Sequence, residues 1–146
     1  MGGAWLQLKQ AAGAAEADAL KQEFDDLFIG LTQGEVIPYG SYYQTGFLHE
    51  KPLAKLRQDL ALLGLERQQD RKEPEDHIAA ECDVMRLILT AQGTPVVDAS
   101  TFFSRHISPW ANQFFDDLAK ADSASFYRRL AHFGAVFMQS EMQAMK

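Results

Sequence analysis

The chain has 146 residues, and its apolar content of 47% and charged content of 23% are ordinary for a soluble globular domain. A formal net charge of −6 argues against non-specific nucleic-acid binding, which requires a basic surface. The single cysteine, Cys82, excludes an internal disulfide and a cysteine-based zinc site. We therefore expect one domain over residues 1–146, with no nucleic-acid partner.

The chain contains no window approaching the roughly 18 uninterrupted apolar residues that a membrane span requires. The N-terminal residues Met1–Trp5 also lack the basic region and apolar core of a secretory signal. Together with the single cysteine, these features predict a cytoplasmic protein without a membrane span.

Apolar residues recur every three or four positions in five stretches, which is typical of helices with one buried face. These stretches lie at residues 20–31, 53–63, 78–89, 103–118 and 126–137. Gly64 and Gly93 follow two of them, as helix-ending glycines do, and Ser108 with Pro109 suits a helix start. No sustained period-two alternation appears. The sequence predicts an all-α fold, a single helical bundle of five or six helices.

Two of these stretches make specific predictions about which side chains are buried. The third predicts a buried face made of Ile78, Cys82, Met85 and Leu89. The last predicts a buried face made of Phe126, Leu130, Phe133 and Phe137. Connections are expected near residues 32–37, 64–73, 93–95 and 120–124.

The segment from Glu73 to Glu81 combines carboxylates with one histidine at a predicted helix start. Pro74 suits the first helical turn, and the carboxylates of Glu73 and Asp76 suit the positive end of the helix dipole. That structural role alone can explain them. His77 and Glu81 are four residues apart and therefore share a helix face.

Three functional interpretations of this acidic helix start remain. A metal site would have two ligands in His77 and Glu81, but a catalytic zinc site needs three, and the other histidines lack ligand spacing. Acid–base catalysis by Asp76 and His77 would need a nucleophile or phosphate-binding motif, and none is present. We therefore predict no metal, no cofactor and no catalytic residue. The third interpretation is recognition of a peptide that carries arginine beside an apolar stretch, through bidentate guanidinium–carboxylate bonds.

A second candidate motif lies upstream, where Pro38 fixes the backbone of a turn that leads into a short helix. Tyr39 and Tyr42 each offer an apolar ring and a hydroxyl group. They either lock the turn onto the bundle or line a recognition groove with Ser41, and both roles are compatible.

Taken together, these motifs resemble the TorD/DmsD-type family of redox-enzyme maturation chaperones, which is related to the NarJ group. The resemblance covers about residues 20–138, in the family's order. It rests on the segments Glu23–Phe28, Pro38–Tyr42, Glu73–Ile78, Glu81–Met85 and Phe102–Trp110.

The resemblance implies an all-helical cytoplasmic chaperone, not an enzyme, that binds the twin-arginine signal peptide of a molybdenum-cofactor oxidoreductase. Such a chaperone delays export of the precursor until the cofactor is inserted. The family's Asp-His pair is associated with signal-peptide binding and corresponds to Asp76 and His77. Some members have been linked to guanine nucleotide, which nothing else in this sequence supports.

The expected peptide-binding site combines both motifs. Its residues are Glu73, Pro74, Asp76, His77, Glu81, Tyr39, Ser41 and Tyr42. One alternative is a cofactor-insertion chaperone that binds the mature part of a non-exported molybdoenzyme. A less favoured alternative is a nucleotide-binding or hydrolytic protein.

The sequence departs from the family pattern in two ways. Gly40 stands where glutamate is common and Cys82 where leucine is common, which could alter the groove. Residues 1–14 match the family poorly, and members usually have further helices before this segment. We therefore expect either a truncated chain that lacks the family's N-terminal helices, or a homodimer.

Overall fold

The computed structural model describes all residues, 1–146, and contains α-helices without β-strands. The all-α prediction is confirmed. The helices are α1 (Gly2–Ala14), α2 (Ala17–Phe24), α3 (Gly40–Thr45), α4 (Lys51–Leu62), α5 (Ile78–Thr90), α6 (Ala99–Phe102), α7 (Ala111–Lys120) and α8 (Phe126–Ala144). Two π-helical turns, Asp25–Ile29 and Phe103–Ile107, directly follow α2 and α6.

The structure has eight helices, more than the predicted five or six, because a short helix does not repeat an apolar pattern that the sequence can reveal. α3 has six residues and α6 has four, too few to repeat an apolar pattern. α1 lies in a segment with three glycines and no apolar stripe. None of the helices combines the length and the apolar content that a membrane crossing needs.

The chain forms two compact units. One contains residues 1–37 and 112–146, and the other contains residues 38–111. The assignment of residues 1–146 to one domain, and the expected homodimer, stay predictions.

In the first unit, α1 packs against α8. Ala4 and Leu8 are buried, and the rings of Trp5 and Phe133 lie 5.5 Å apart. The predicted buried face of α8 is wrong, because Phe137 is exposed and the buried residues are Ala131, Gly134 and Met138. Gly134 lies so close to the ring of Phe115 that a side chain there would overlap it. The close packing of the Phe115 ring against Gly134 therefore determines which face of α8 is buried.

The carboxylate of Glu23 caps the N-terminus of α8. It accepts hydrogen bonds from the backbone N–H groups of Ser125 at 2.7 Å, Phe126 at 3.2 Å and Tyr127 at 2.8 Å. A carboxylate is favoured there by the unpaired N–H groups and by the positive end of the helix dipole.

The predicted helix over residues 20–31 ends early. The π-helical turn follows α2, and Gly30 then adopts a positive φ of 62°. Leu27 is fully buried, but Leu31 lies beyond this end and is fully exposed. The prediction that Leu31 belongs to a buried stripe is wrong.

In the second unit, the predicted α4 stripe is confirmed, with Leu53, Leu56 and Leu60 buried. Gly64 adopts a φ of 72° just after α4, as a helix-ending glycine does. The stripe that begins at Phe103 is also confirmed, because Ile107 and Trp110 are buried with it.

The predicted buried face of α5 is wrong. Cys82 is exposed, and 68% of Leu89 is accessible to solvent. The residues of α5 that are buried are Glu81 and Ile88. Both belong to the face adjoining the predicted one, so a carboxylate takes the core position that periodicity gave to apolar residues.

Candidate functional site

The two candidate motifs form one structure within the second unit. The N–H of Gly40 donates to the carbonyl of Asp76 at 2.9 Å, and the N–H of Ile78 donates to the carbonyl of Pro38 at 3.0 Å. These bonds form an isolated antiparallel bridge between Tyr39 and His77. The Pro-Tyr turn is therefore held directly against the start of α5.

Asp76 lies at the centre of this junction and is buried. Its Oδ2 accepts a hydrogen bond from the N–H of Ser41 at 2.7 Å, which caps the first turn of α3 from a distant part of the chain. Asp76 Oδ1 and Ser41 Oγ are buried and have no hydrogen-bond partner. One oxygen of the Asp76 carboxylate therefore holds the first turn of α3, and the other can still accept a hydrogen bond.

His77, rather than Pro74, stands at the start of α5. Its Nδ1 accepts a hydrogen bond from the N–H of Ala79 at 3.1 Å, so His77 is the N-cap residue. The predicted placement of Pro74 in the first helical turn is wrong, because Pro74 precedes a turn closed by the His77 N–H on the Pro74 carbonyl. Burial lowers the pKa of His77, while the charges of Glu73 and Asp76 oppose this shift.

Tyr39 packs against His77 with its ring edge-to-face, at a centroid distance of 5.1 Å. Burial and the charges of Glu73 and Asp76 raise the pKa of Tyr39. Tyr42 is half-buried and packs edge-to-face against Tyr43 at 5.8 Å. Tyr39 therefore lies beside the acidic segment, whereas Tyr42 contacts the next tyrosine of its own helix.

Glu81 is almost fully buried and faces Trp110. The indole N–H of Trp110 donates to the His106 carbonyl at 2.8 Å and, over a longer distance of 3.3 Å, to Glu81 Oε2. Burial and the charge of Asp76 raise the pKa of Glu81 well above its usual value, and the Trp110 bond opposes this shift. The neutral form of this carboxyl is therefore more favoured than that of a carboxyl exposed to water.

Glu81→Gln is expected to raise the free energy of unfolding by about 1–3 kcal/mol at pH 8, because ionisation of the buried Glu81 carboxyl costs stability as pH rises and glutamine does not ionise. The folded-state pKa of Glu81 lies above its usual 4.5, so its contribution to stability is full below about pH 4.5 and is lost as pH rises through the folded-state pKa. Glutamine keeps an oxygen for the Trp110 N–H. Denaturant unfolding at pH 5 and pH 8 measures the effect, and the gain should be larger at pH 8. A variant less stable than the wild type at pH 8 would contradict this account of Glu81.

Two cavities share the segment from Glu73 to Glu81 as a wall. Asp76 and Glu81 line a smaller cavity of 240 Å³, together with Gly40 and His106. Three cationic side chains also line it: Lys51, Lys55 and Arg105. The small cavity therefore brings basic groups, as well as two carboxyl groups, to its surface.

The larger cavity is a groove of 510 Å³ formed by the end of α4, the following loop and α5. Its apolar lining includes Leu60, Leu65, Pro74, Ala80, Val84 and Leu87. Its acidic lining is Glu66, Glu73, Glu75 and Asp83. Of the predicted site residues, Glu73, Pro74 and His77 line this groove. We call it the α4–α5 groove.

The structure thus distributes the predicted site residues over several environments. Glu73, Pro74 and His77 face the α4–α5 groove, and Asp76 and Glu81 face the small cavity. Ser41 is buried beneath Asp76, while Tyr39 covers His77.

One cluster beside the small cavity was missed in the sequence. Asp59 is buried, and its carboxylate accepts a hydrogen bond from Arg105 Nη1 at 3.1 Å and contacts His106 Nε2 at 2.7 Å. A signal for it existed, because Asp59 lies three residues after Leu56 and next to Leu60, on the buried side of α4. A carboxylate at such a position requires a partner.

A family model described as nitrate reductase delta subunit matches residues 1–116. The protein named Chaperone protein TorD from Vibrio cholerae is 28% identical to this chain, over 86% of this chain and 62% of the relative. Proteins of the same name from Vibrio atlanticus and Aliivibrio salmonicida are 29% and 25% identical, each over 85% of this chain and 63% of the relative.

The chain spans less than two thirds of the length of these relatives, which are named as chaperones and not as enzymes. The family match covers more than half of the chain, and it agrees with the resemblance that the sequence motifs indicate. This chain belongs to the nitrate reductase delta subunit family, the TorD/NarJ family.

Proposed function

We propose that this chain is a cytoplasmic maturation chaperone for a molybdenum-cofactor oxidoreductase. It binds the twin-arginine signal peptide of the precursor and thereby delays export until the cofactor is inserted. Its action is binding without catalytic turnover. The relatives named Chaperone protein TorD support the chaperone class, and the acidic start of α5 supports recognition of a basic peptide.

The observation that carries this proposal is the state of Glu73. Its side chain is exposed, it forms no ion pair, and its charge acts on both His77 and Tyr39. Glu75 differs, because Arg57 already holds it at 3.0 Å. An arginine of the peptide can therefore pair with Glu73 without breaking an existing contact, and a guanidinium group pairs with a carboxylate in a bidentate manner.

The remaining predicted residues support this contact in different ways. Asp76 and Ser41 hold the Pro-Tyr turn against α5, and Glu81 fixes the position of Trp110. Tyr39 and His77 form the wall next to Glu73, while Pro74 sets the turn that presents it. Tyr42 belongs to the supporting helix α3.

The test is calorimetric titration of a synthetic twin-arginine signal peptide, with a twin-lysine peptide as the control. We expect a dissociation constant of about 1 μM or lower, and weaker binding of the twin-lysine peptide because lysine cannot form the bidentate contact. Glu73→Gln should weaken binding of the twin-arginine peptide about fivefold, because one exposed charge-assisted contact is lost.

Asp116→Asn is the matched control, since Asp116 is an exposed carboxylate on α7 and the substitution changes the net charge equally. It should leave the affinity unchanged. If the folded protein binds neither peptide, the proposed function is wrong. If Glu73→Gln and Asp116→Asn have equal effects, the carboxylate contact is assigned to the wrong residue.

A further inference from the structure

We propose that the α4–α5 groove binds the apolar stretch that adjoins the arginines of the client peptide, with the arginines at its Glu73 end. This inference rests on the proposed function and adds the location and direction of the bound peptide.

The shape and lining of the groove suit an apolar peptide segment. Its volume of 510 Å³ lies within the roughly 300–1,000 Å³ typical of binding pockets. Leu60 contributes from α4, Leu65 from the loop, and Val84 and Leu87 from α5. Ala79 and Ala80 also line it, and their small side chains leave room between the larger ones. Burial of apolar peptide side chains here would supply the main favourable free energy.

Charge determines which kind of apolar peptide fits. The groove is lined by four carboxylates, given above, and by two guanidinium groups, those of Arg67 and Arg71. Two of these carboxylates, Glu75 and Asp83, are already paired with arginines, so the lining as a whole is close to neutral and a basic partner is favoured at the Glu73 end. Asp83 is paired with Arg86 at 2.8 Å, and both side chains are exposed. Glu73 is therefore the carboxylate beside the start of α5 that has no ion-pair partner and can pair with an arginine of the peptide.

The small cavity is less suited to the same arginines. Lys51, Lys55 and Arg105 all line it and repel a guanidinium group. Asp76 and Glu81 also lie there, but burial raises the pKa of Glu81 and so disfavours its charged form. The balance of charge therefore directs a cationic side chain to the α4–α5 groove.

The dimensions of α5 set the length of the bound segment. His77 and Leu87 both line the groove and are ten residues apart, which corresponds to about 15 Å along a helix. An extended peptide covers this distance with about four or five residues. The apolar residues that directly adjoin the arginines are thus the ones expected in the groove.

Filling the groove tests this assignment. Ala79→Trp places a large side chain in the groove at an exposed position, while the Ala79 N–H can still donate to His77. We expect the affinity for the twin-arginine peptide to fall at least tenfold. Leu89→Trp is the matched control, because Leu89 is exposed on the same helix and does not line the groove. It should leave the affinity unchanged, and thermal unfolding verifies that both variants are folded.

A second peptide separates the apolar contact from the arginine contact. A version with serine at the apolar positions should bind the wild type more weakly and should lose little further affinity on Ala79→Trp. As a measurement independent of the variants, a benzophenone side chain in the apolar stretch should cross-link to residues 79–87.

The outcomes distinguish the location from the function. Equal affinity of the wild type and Ala79→Trp, or cross-links outside the groove, would overturn the location and leave the proposed function standing. No binding of the twin-arginine peptide to the wild type would overturn both. Dissociation of a wild-type dimer by Ala79→Trp would assign the groove to a second copy of the chain and overturn the inference.

Discussion

Asp59→Asn is expected to lower the free energy of unfolding by about 1.5–3 kcal/mol at pH 7, because it weakens the hydrogen bonds of a buried, charged carboxylate. Asp59 is buried and contacts both Arg105 and His106. Burial alone would raise its pKa, but the hydrogen bonds and charges of His106 and Arg105 lower it overall. The contribution of Asp59 is therefore present above its usual pKa of 3.8 and is lost as pH falls through the folded-state value.

Asp83→Asn is the matched control for this substitution. Asp83 pairs with Arg86, and 61% of each side chain is accessible to solvent. An exposed pair of this kind contributes little, so the change in unfolding free energy should stay within about 0.5 kcal/mol. Denaturant unfolding of both variants gives the comparison. Equal losses would contradict a special role for the buried cluster.

Trp110→Ala is expected to lower the free energy of unfolding by about 3–5 kcal/mol, because it empties a large buried volume. The Trp110 ring is 2% exposed and stacks on Tyr43 at 5.5 Å. A side chain at Gly40 would come within 2.9 Å of the indole nitrogen, so the turn that carries Tyr39 and Ser41 packs directly on this ring. Loss of the indole should therefore loosen the Pro-Tyr turn as well.

Trp110→Phe separates packing from hydrogen bonding. Phenylalanine keeps much of the ring but removes the N–H that donates to the His106 carbonyl and to Glu81. We expect a smaller loss of about 1–2 kcal/mol. Thermal or denaturant unfolding of the two variants measures both. If Trp110→Phe costs as much as Trp110→Ala, the hydrogen bonds and not the packing hold this region.

Helix periodicity predicts those parts of the fold in which one apolar face meets one core. On α4 the predicted residues Leu53, Leu56 and Leu60 are buried. In the segment after α6, Phe103, Ile107 and Trp110 are buried as predicted. Periodicity failed on α5, where Glu81 takes a core position and Cys82 faces solvent. Periodicity counts apolar residues, so it cannot anticipate a buried carboxyl group that bonds to Trp110, in the turn before α7.

Long-range contacts made the other features unpredictable. The capping of α8 by Glu23 joins residues about 100 positions apart, and no local pattern signals it. The close approach of α8 to Phe115 depends on Gly134, which in sequence reads only as a weak point in a helix. A local irregularity, the π-helical turn at Asp25–Ile29 followed by Gly30, removes Leu31 from the stripe that its spacing predicts.

The candidate site, like the fold, could be predicted from the sequence only in part. Sequence motifs selected Asp76, His77 and Tyr39, and the structure brings these three residues together at one backbone bridge. The sequence did not show that Asp76 and Glu81 face a different cavity from Glu73 and His77. That division depends on which side of the turn each side chain occupies, which the sequence motifs do not reveal.

Hydrogen exchange of the intact chain, with and without the twin-arginine peptide, tests the central claim most directly. The account predicts slower exchange of backbone N–H groups in residues 65–87, which form the loop and the helix of the α4–α5 groove. Exchange in residues 1–37 and 112–146 should not change. The claim that the chain binds its client through the acidic start of α5 would be contradicted by protection confined to residues 1–37 and 112–146. It would also be contradicted if a saturating concentration of peptide gave no protection at all.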